Sequence, residues 1–195
     1  MKRYLGYLTI SFVAFQSCNV HKESDQLNSM YSVEDSLAAY QDSLVQAWNI
    51  MISDDNQKIN AMQTLLHELE STSIDDRDKL ERFGQQLEQL GRLRYTQKSM
   101  SNADVIEEYD FASGTLVMEL ISLAESRIEY NKNMLLQKLV DDILLADDRV
   151  NNYREEYDGV VADYNDFIDN NKPYLKEMNA DSLRKRSLFQ MVSVE

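Results

Sequence analysis

The chain has 195 residues, 43% of them hydrophobic, which suits one domain with a buried core. One proline and five glycines are too few for a loop-rich β fold and favour long helices. The formal net charge of −14 argues against nucleic acid as a partner, because phosphate backbones repel an acidic protein. The single cysteine excludes an internal disulfide.

Residues 1–17 predict a lipoprotein signal peptide. Lys2 and Arg3 precede an apolar stretch at residues 4–15, which is too short to span a bilayer permanently. Ser17 then stands directly before Cys18, and this arrangement resembles the relaxed lipoboxes of Bacteroidota. We expect cleavage before Cys18 and attachment of acyl chains such as palmitate to its thiol. The alternative is an ordinary secretory signal with an incidental cysteine.

The rest of the chain divides into a tether, a helical bundle and a tail. Residues 18–31 are polar with little periodicity and predict a flexible tether between lipid and domain. Residues 32–171 carry apolar side chains at helical spacing and predict the bundle. Residues 172–195 are expected to form a loosely packed tail. Its basic cluster at residues 184–186 would rest on the acidic bundle or on anionic head groups.

Cap-like serines mark the starts of the first three predicted helices. Ser32 opens a first helix that reaches about residue 70, although its apolar seam is interrupted at Asp55. We expect one continuous helix, because no proline or glycine breaks it; the alternative is two helices with a bend near residues 53–56. Ser73 opens the second helix and Ser101 the third.

Several side chains of these helices carry specific expectations. Gly84 and Gly91 fall on nearly the same face of the second helix and predict close approach by a neighbouring helix. The alternative is two tolerated glycines, each about 1 kcal/mol worse than alanine. The third helix is expected to turn seven residues inward: Val105, Tyr109, Ala112, Leu116, Leu120, Leu123 and Ile128.

The fourth helix has the most regular apolar seam of the chain. Its apolar residues recur every three or four positions: Leu136, Leu139, Ile143, Ala146, Val150, Tyr153, Tyr157, Val160, Tyr164 and Phe167. This spacing predicts a helix of about 50 Å that packs along other helices as in a coiled coil. The polar residues between them, Arg154 included, are expected to face solvent. The sequence therefore predicts an all-α protein, an elongated up-down antiparallel helical bundle of about four long helices.

The bundle resembles the LemA family over about residues 40–189. The matching features are Ala47-Trp48, the Leu-rich stretch 114–125, Asp147-Asp148-Arg149-Val150, Tyr153, Tyr157 and Tyr164-Asn165. The chain lacks the prolines that the family carries in its first helix and before its last helix. A short lipid-anchored leader stands where the family has a transmembrane helix. The resemblance implies a membrane-tethered bundle that faces away from the cytoplasm, and it implies no catalytic residue or cofactor.

The candidate sites within the bundle have structural explanations. His67 is followed by Glu70, but residue 64 is threonine, so the Glu-x-x-His motif of di-iron bundles is missing. Four aspartate pairs, Asp54-Asp55, Asp75-Asp76, Asp141-Asp142 and Asp147-Asp148, are expected on solvated faces. Neighbouring residues on a helix point about 100° apart and do not chelate together. The seam tyrosines and Trp48 are expected in the core or at helix contacts.

The sequence favours a non-enzymatic scaffold or adaptor of the cell envelope, anchored through Cys18 on the periplasmic side or the cell surface. We expect no catalytic, cofactor-binding or metal-binding residues, no cofactor and no nucleic-acid partner. The expected partners are the membrane, through the lipid, and an unidentified envelope protein. The alternative is a bundle that binds a small ligand or a metal at an unrecognised site.

Ser182 is a candidate O-glycosylation site, because Asp181-Ser182-Leu183 matches the Asp-Ser/Thr-apolar tripeptide glycosylated on exported proteins of Bacteroidota. Two further copies, at residues 35–37 and 42–44, fall within the predicted first helix and are weaker candidates. We expect the tryptic fragment that carries Ser182 to show a glycan mass. The fragment from the chain with Ser182→Ala is the control. An unmodified mass for the parent fragment rules the modification out.

Overall fold

The computed structural model describes residues 17–72, 76–178 and 183–189, without the side chains of residues 17–29 and 72. These residues form four long helices with short connections. The helices are α1 (Ser17–Thr72), α2 (Arg77–Leu93), α3 (Ala103–Glu125) and α4 (Met134–Asn170), with a 3₁₀ turn at Tyr130–Lys132 and a short α5 (Lys172–Glu177). No strand occurs among the described residues. The all-α bundle predicted from the sequence is confirmed.

The two longest helices, α1 and α4, lie side by side and run in opposite directions. Tyr40 packs on Phe167, with ring centroids 4.9 Å apart, and Trp48 packs on Tyr157 at 5.6 Å. Further along, Lys58 Nζ lies 3.0 Å from Asp147 Oδ1. As the residue number on α1 rises from Tyr40 to Lys58, the number of the contacted residue on α4 falls from Phe167 to Asp147, so the two helices are antiparallel.

The pair has two different surroundings along its length. From about Asp55 to its C-terminal end, α1 is covered by the α2–α3 hairpin, and the four helices enclose a common apolar core. The buried core of this half includes Met62, Leu65, Leu69, Leu80, Phe83, Leu90, Leu116, Leu120, Leu136 and Ile143. In the other half, α4 lies against α5 and the C-terminal segment 183–189.

The predicted helix ends agree with the structure better than the predicted starts: α2 begins at Arg77 with Asp76 as its N-cap, and the predicted cap Ser73 lies outside the described residues. The first helix is continuous through Asp55, as predicted, and α4 ends at Asn170, before Pro173. Helix α1 also begins at Ser17, so the backbone is helical across the stretch for which the sequence predicts a flexible tether. The cap of α3 is Asn102 and not Ser101, because the Asn102 side chain accepts a hydrogen bond from the backbone N–H of Asp104 at 3.1 Å.

Three expectations about side chains are wrong. Ile128 is exposed rather than inward, because α3 ends at Glu125 and Ile128 lies in the following turn. A Cβ added at Gly84 would meet Leu66 at the ordinary contact distance of 3.7 Å, and one at Gly91 would meet nothing within 4 Å. Neither glycine is therefore required by close helix approach.

The C-terminal segment is packed more tightly than predicted. Residues 183–189 run antiparallel to α4, and Asn165 hydrogen-bonds both the carbonyl and the N–H of Arg186 at 2.9 and 2.8 Å. The N–H of Phe189 donates to Asp158 at 2.9 Å, and the Phe189 ring is only 5% exposed. The segment thus packs along α4 and meets the loop between α2 and α3 through the contact of Phe189 with Tyr95.

Candidate functional site

A belt of paired charges crosses the bundle where the α2–α3 hairpin ends. Four carboxylates and four cations take part, and we call them the charged belt: Asp54, Asp55, Lys58, Arg94, Asp110, Asp147, Arg149 and Arg154. They come from α1, α3, α4 and the loop between α2 and α3. Each carboxylate pairs with one cation, so the belt carries no net charge.

Asp55 connects three parts of the fold. Its Oδ2 atom accepts a hydrogen bond of 2.8 Å from Arg94 Nε and a second one from Arg94 Nη2. Its Oδ1 atom accepts a hydrogen bond of 2.6 Å from the Tyr109 hydroxyl. Since Asp55 is 6% exposed, its charge is compensated by these partners rather than by water. The pairings hold the α2–α3 loop and α3 against α1.

The neighbouring residues of α1 reach α4 instead. Asp54 accepts a hydrogen bond from Arg149, and Lys58 donates to Asp147 at 3.0 Å. Asp54 and Asp55 point to different partners because consecutive helical residues differ in direction by about 100°. Sliding α1 by one turn along α4 would separate both pairs and bury Lys58, which is 3% exposed, without a partner. The belt therefore favours one register of the pair.

Arg154 of α4 is the most enclosed arginine of the belt, with 2% of its surface exposed. It donates two parallel hydrogen bonds to Asp110 of α3, at 2.7 and 2.6 Å. Its guanidinium also stacks on the rings of Tyr95 and Phe189, 5.3 and 5.5 Å from their centroids. Burial acts to lower the pKa of Arg154, but the interactions with Asp110 and Tyr95 together outweigh it and raise the pKa above its ordinary value.

An aromatic cluster continues from Arg154 along the bundle. Tyr95 contacts Trp48, Tyr109 and Phe189 edge to face, with centroid distances of 6.4, 5.3 and 5.5 Å. Tyr157 contacts Trp48 and Phe189 in the same manner at 5.6 and 5.7 Å. These contacts confirm the prediction that Trp48 and Tyr157 are packing residues. They also join the C-terminal segment to the loop between α2 and α3.

The belt leaves no room for a substrate among its described residues. The space beside Met51, Asp54 and Lys58 has a volume of about 10 Å³, enough for one water at most. All of its carboxylates are engaged with cations. The arrangement can hold helices together, but it offers neither an open coordination position nor an unpaired acid or base.

Two sequence-based expectations about charge are wrong at the belt. Asp54 and Asp55 are buried rather than solvated, and so is Arg154. One signal in the sequence indicated this site. Asp55 interrupts the apolar seam of α1, although no proline or glycine breaks the helix there. Of the other aspartate pairs, Asp141, Asp142 and Asp148 are exposed as predicted.

His67 lies on the surface, beside a cleft of about 210 Å³ that it shares with Glu70 and Glu88. Across the described parts of the chain, no three histidine, cysteine, aspartate or glutamate side chains are grouped so that they could hold a metal ion. Cys18 is the second residue of α1, and its side chain lies outside the described residues, as does all of Ser182. No described helix is long and apolar enough to cross a bilayer.

Two larger clefts lie on the surface of the half without the hairpin. The first, which we call the α1 groove, has a volume of about 570 Å³ and is lined by nine residues: Asp42, Val45, Gln46, Asn49, Ile50, Ser53, Asp54, Gln57 and Tyr153. The second, of about 450 Å³, lies between the C-terminal end of α4, α5 and the segment from Leu183.

Comparison with known proteins gives no match to a family model, a curated protein or a solved structure.

Replacing Asp55 tests whether the belt holds the hairpin to α1. We expect Asp55→Ala to lower the free energy of unfolding by about 3–5 kcal/mol, because Arg94 loses its carboxylate and Tyr109 its acceptor. Asp42→Ala, an exposed position on the same helix, should change it by less than about 0.5 kcal/mol. Urea unfolding followed by circular dichroism measures both variants. Equal small effects would show that the belt does not stabilise the fold.

Tyr109 should make stability depend on alkaline pH. Burial, together with the neighbouring Asp55 carboxylate, raises the pKa of Tyr109 above its ordinary value of 10.0. The unfolded chain then loses this proton near pH 10 while the folded chain keeps it, so stability is full below pH 10 and falls as pH rises. Each such tyrosine contributes a slope of about 1.4 kcal/mol per pH unit.

Between pH 10 and pH 11, we expect the unfolding free energy of Tyr109→Phe to fall by about 1.4 kcal/mol less than that of the parent chain. Urea unfolding at a series of pH values measures it, and Tyr31→Phe, at an exposed position of α1, is the control for loss of a hydroxyl. If the stability of Tyr109→Phe fell with pH as steeply as that of the parent chain, the Tyr109 hydroxyl would not be buried in its neutral form beside Asp55.

Proposed function

We propose that this chain is a LemA-like scaffold or adaptor, attached to a membrane of the cell envelope through acyl chains on Cys18. The observation that supports it is a contrast between interior and surface. The buried ionisable side chains of the belt pair with one another, whereas the α1 groove leaves apolar side chains in solvent. Val45 is 56% exposed and Ile50 43% exposed. A protein with paired charges inside and apolar side chains exposed outside would bind its partners at its surface.

The α1 groove is the proposed contact surface for an envelope protein. Asp42 and Asp54 border it, Val45 and Ile50 supply apolar area, and Tyr153 closes one side. The groove follows one face of α1, so an extended or helical segment could lie along it. Since Asp54 is paired with Arg149, Asp42 is the exposed carboxylate of the groove, and the groove suits a partner segment with apolar anchors and a basic residue opposite Asp42.

The anchor fits the geometry of α1. Cys18 lies in the first turn of a helix that continues without a break to Thr72, and among the side chains that the structure describes, from Met30 onward, the first buried one is Val33. At 1.5 Å per residue, about 20–25 Å of helix separates Cys18 from Val33. The proposed groove would then stand clear of the lipid head groups. The alternative, a bundle with a ligand or metal site, has no support from the belt, whose charges are all paired.

In-cell photo-crosslinking from position 46 tests the proposal. Gln46 lies in the α1 groove, and Glu119 is an exposed control position on α3. We expect one or two recurrent envelope proteins from Gln46 and not from Glu119. Ile50→Lys should abolish the crosslink by placing a charge in the groove, while Leu145→Lys, at an exposed position of α4, should not.

Cys18→Ala separates anchoring from partner binding in the same experiment. We expect this variant to leave the membrane fraction and to lose most of the crosslinked partner, because partner and bundle no longer share one surface. If the variant stays in the membrane fraction, Cys18 is not the anchor. If no protein is recovered reproducibly from position 46, the adaptor proposal is wrong.

A further inference from the structure

The C-terminal segment 183–189 lies against the bundle in the manner of a bound peptide. The Asn165 side chain donates to the carbonyl of Arg186 at 2.9 Å and accepts from its N–H at 2.8 Å. Asp158 accepts the N–H of Phe189 at 2.9 Å. Within the segment, Phe189 is buried and the side chains of residues 184–188 are exposed. Main-chain hydrogen bonds that give affinity and a pocket that gives specificity are how many proteins hold extended peptides.

The ring of Phe189 fills a pocket that other contacts hold in shape. Three described residues form its walls, and we call it the Phe189 pocket: Tyr95, Arg154 and Tyr157. The Phe189 centroid lies 5.5 and 5.7 Å from those of the two tyrosines and 5.5 Å from the guanidinium carbon. Each wall residue is also held from outside the segment, by Tyr109, Asp110 and Trp48 respectively. The pocket should therefore persist when Phe189 leaves it.

Charge adds a second element of recognition. Lys185, four residues before Phe189, pairs with Asp169 of α4. Four residues of extended chain span about 13 Å, so a basic residue at this spacing reaches the carboxylate while the ring lies in the pocket. Asp169 also pairs with Lys172 of α5, so its charge stays compensated when the segment leaves. The surface therefore suits an extended segment with a basic residue four positions before an aromatic one.

The C-terminal segment can detach without unfolding the bundle. It is extended and close to the end of the chain, and side chains of α4 bind its backbone. Segments of this kind open at a lower free energy than packed helices. Helices α1 to α4 are joined by the charged belt and the apolar core, which do not require the segment.

We propose that this side of α4 and the Phe189 pocket form a binding site for an extended segment of a partner protein, and that the C-terminal segment occupies the site in the free chain. The partner would place an aromatic ring in the pocket and a basic residue opposite Asp169. It would bind only where the chain's own segment has detached, so the segment is autoinhibitory and lowers the apparent affinity. The site shares no lining residue with the α1 groove, and it does not depend on membrane attachment.

Binding of a labelled peptide tests the site. The probe is the sequence of residues 183–189, which fits the site in the structure, and the control peptide carries Phe189→Ala at the same charge. We expect the chain with Phe189→Ala to bind the probe at least about tenfold more tightly than the parent chain, because its own segment has lost its ring. It should bind the control peptide at least about tenfold more weakly than the probe. Fluorescence polarisation measures all four affinities.

The matched control chain carries Leu188→Ala, since Leu188 is 44% exposed in the same segment. It should bind the probe like the parent chain, and circular dichroism should show that both variants fold. Equal binding of the two peptides overturns the proposal, and so does equal binding of the probe by the parent and Phe189→Ala chains. A dimer of the parent chain in sedimentation, lost in Phe189→Ala, would identify a second copy rather than a partner protein as the occupant and would also overturn it.

Hydrogen exchange of the parent chain tests detachment without any substitution. The N–H groups of Arg186 and Phe189 should exchange at least about 100-fold faster than those in the middle of α4, because they open locally and α4 does not. Mass spectrometry of peptic fragments measures both regions. Equal protection of the two regions would show that the segment leaves only when the bundle unfolds, and the proposal would be wrong even if the Phe189→Ala chain failed to fold.

Discussion

Charges buried between helices must be paired, and this constraint fixes how the α1–α4 pair and the α2–α3 hairpin meet. Asp55 is compensated only when Arg94 and Tyr109 reach it together. Arg154 is compensated only when Asp110 of α3 lies opposite. Apolar seams tolerate sliding, since one leucine replaces another at the same contact. Paired charges do not tolerate sliding, because a shift of one helical turn would leave a buried charge without its partner. That loss would cost several kcal/mol of folding free energy.

The fold could be predicted from the sequence where periodicity carries the information. The seam of α4 predicts a long helix, and most of its members, such as Leu136, Ile143 and Tyr164, are buried. The continuity of α1 follows from the absence of proline and glycine. Helix starts could be predicted less well, because Ser101 and Asn102 are both good caps. In the structure, it is the Asn102 side chain that accepts the capping hydrogen bond.

The belt and the C-terminal segment could not be predicted, for two physical reasons. A charged residue such as Arg154 is normally solvated, and its burial depends on Asp110, which lies 44 residues away in sequence. An extended segment has no helical period, so Phe189 shows no pattern that marks it as buried. Asp55, in contrast, carries a signal in the sequence, because a polar residue on the apolar seam of an unbroken helix indicates a polar partner on the neighbouring helix.

The belt also divides the bundle into halves with different capacity for binding. On the hairpin side, four helices cover one another's apolar faces. On the other side, the described part of the chain places α5 and an extended segment of seven residues against α4, and these cover less surface than a helix hairpin. The α1 groove and the cleft beside α5 both lie in that half. Among the described residues, sparser coverage thus accompanies both clefts, and the paired charges of the belt keep this half in register with the closed one.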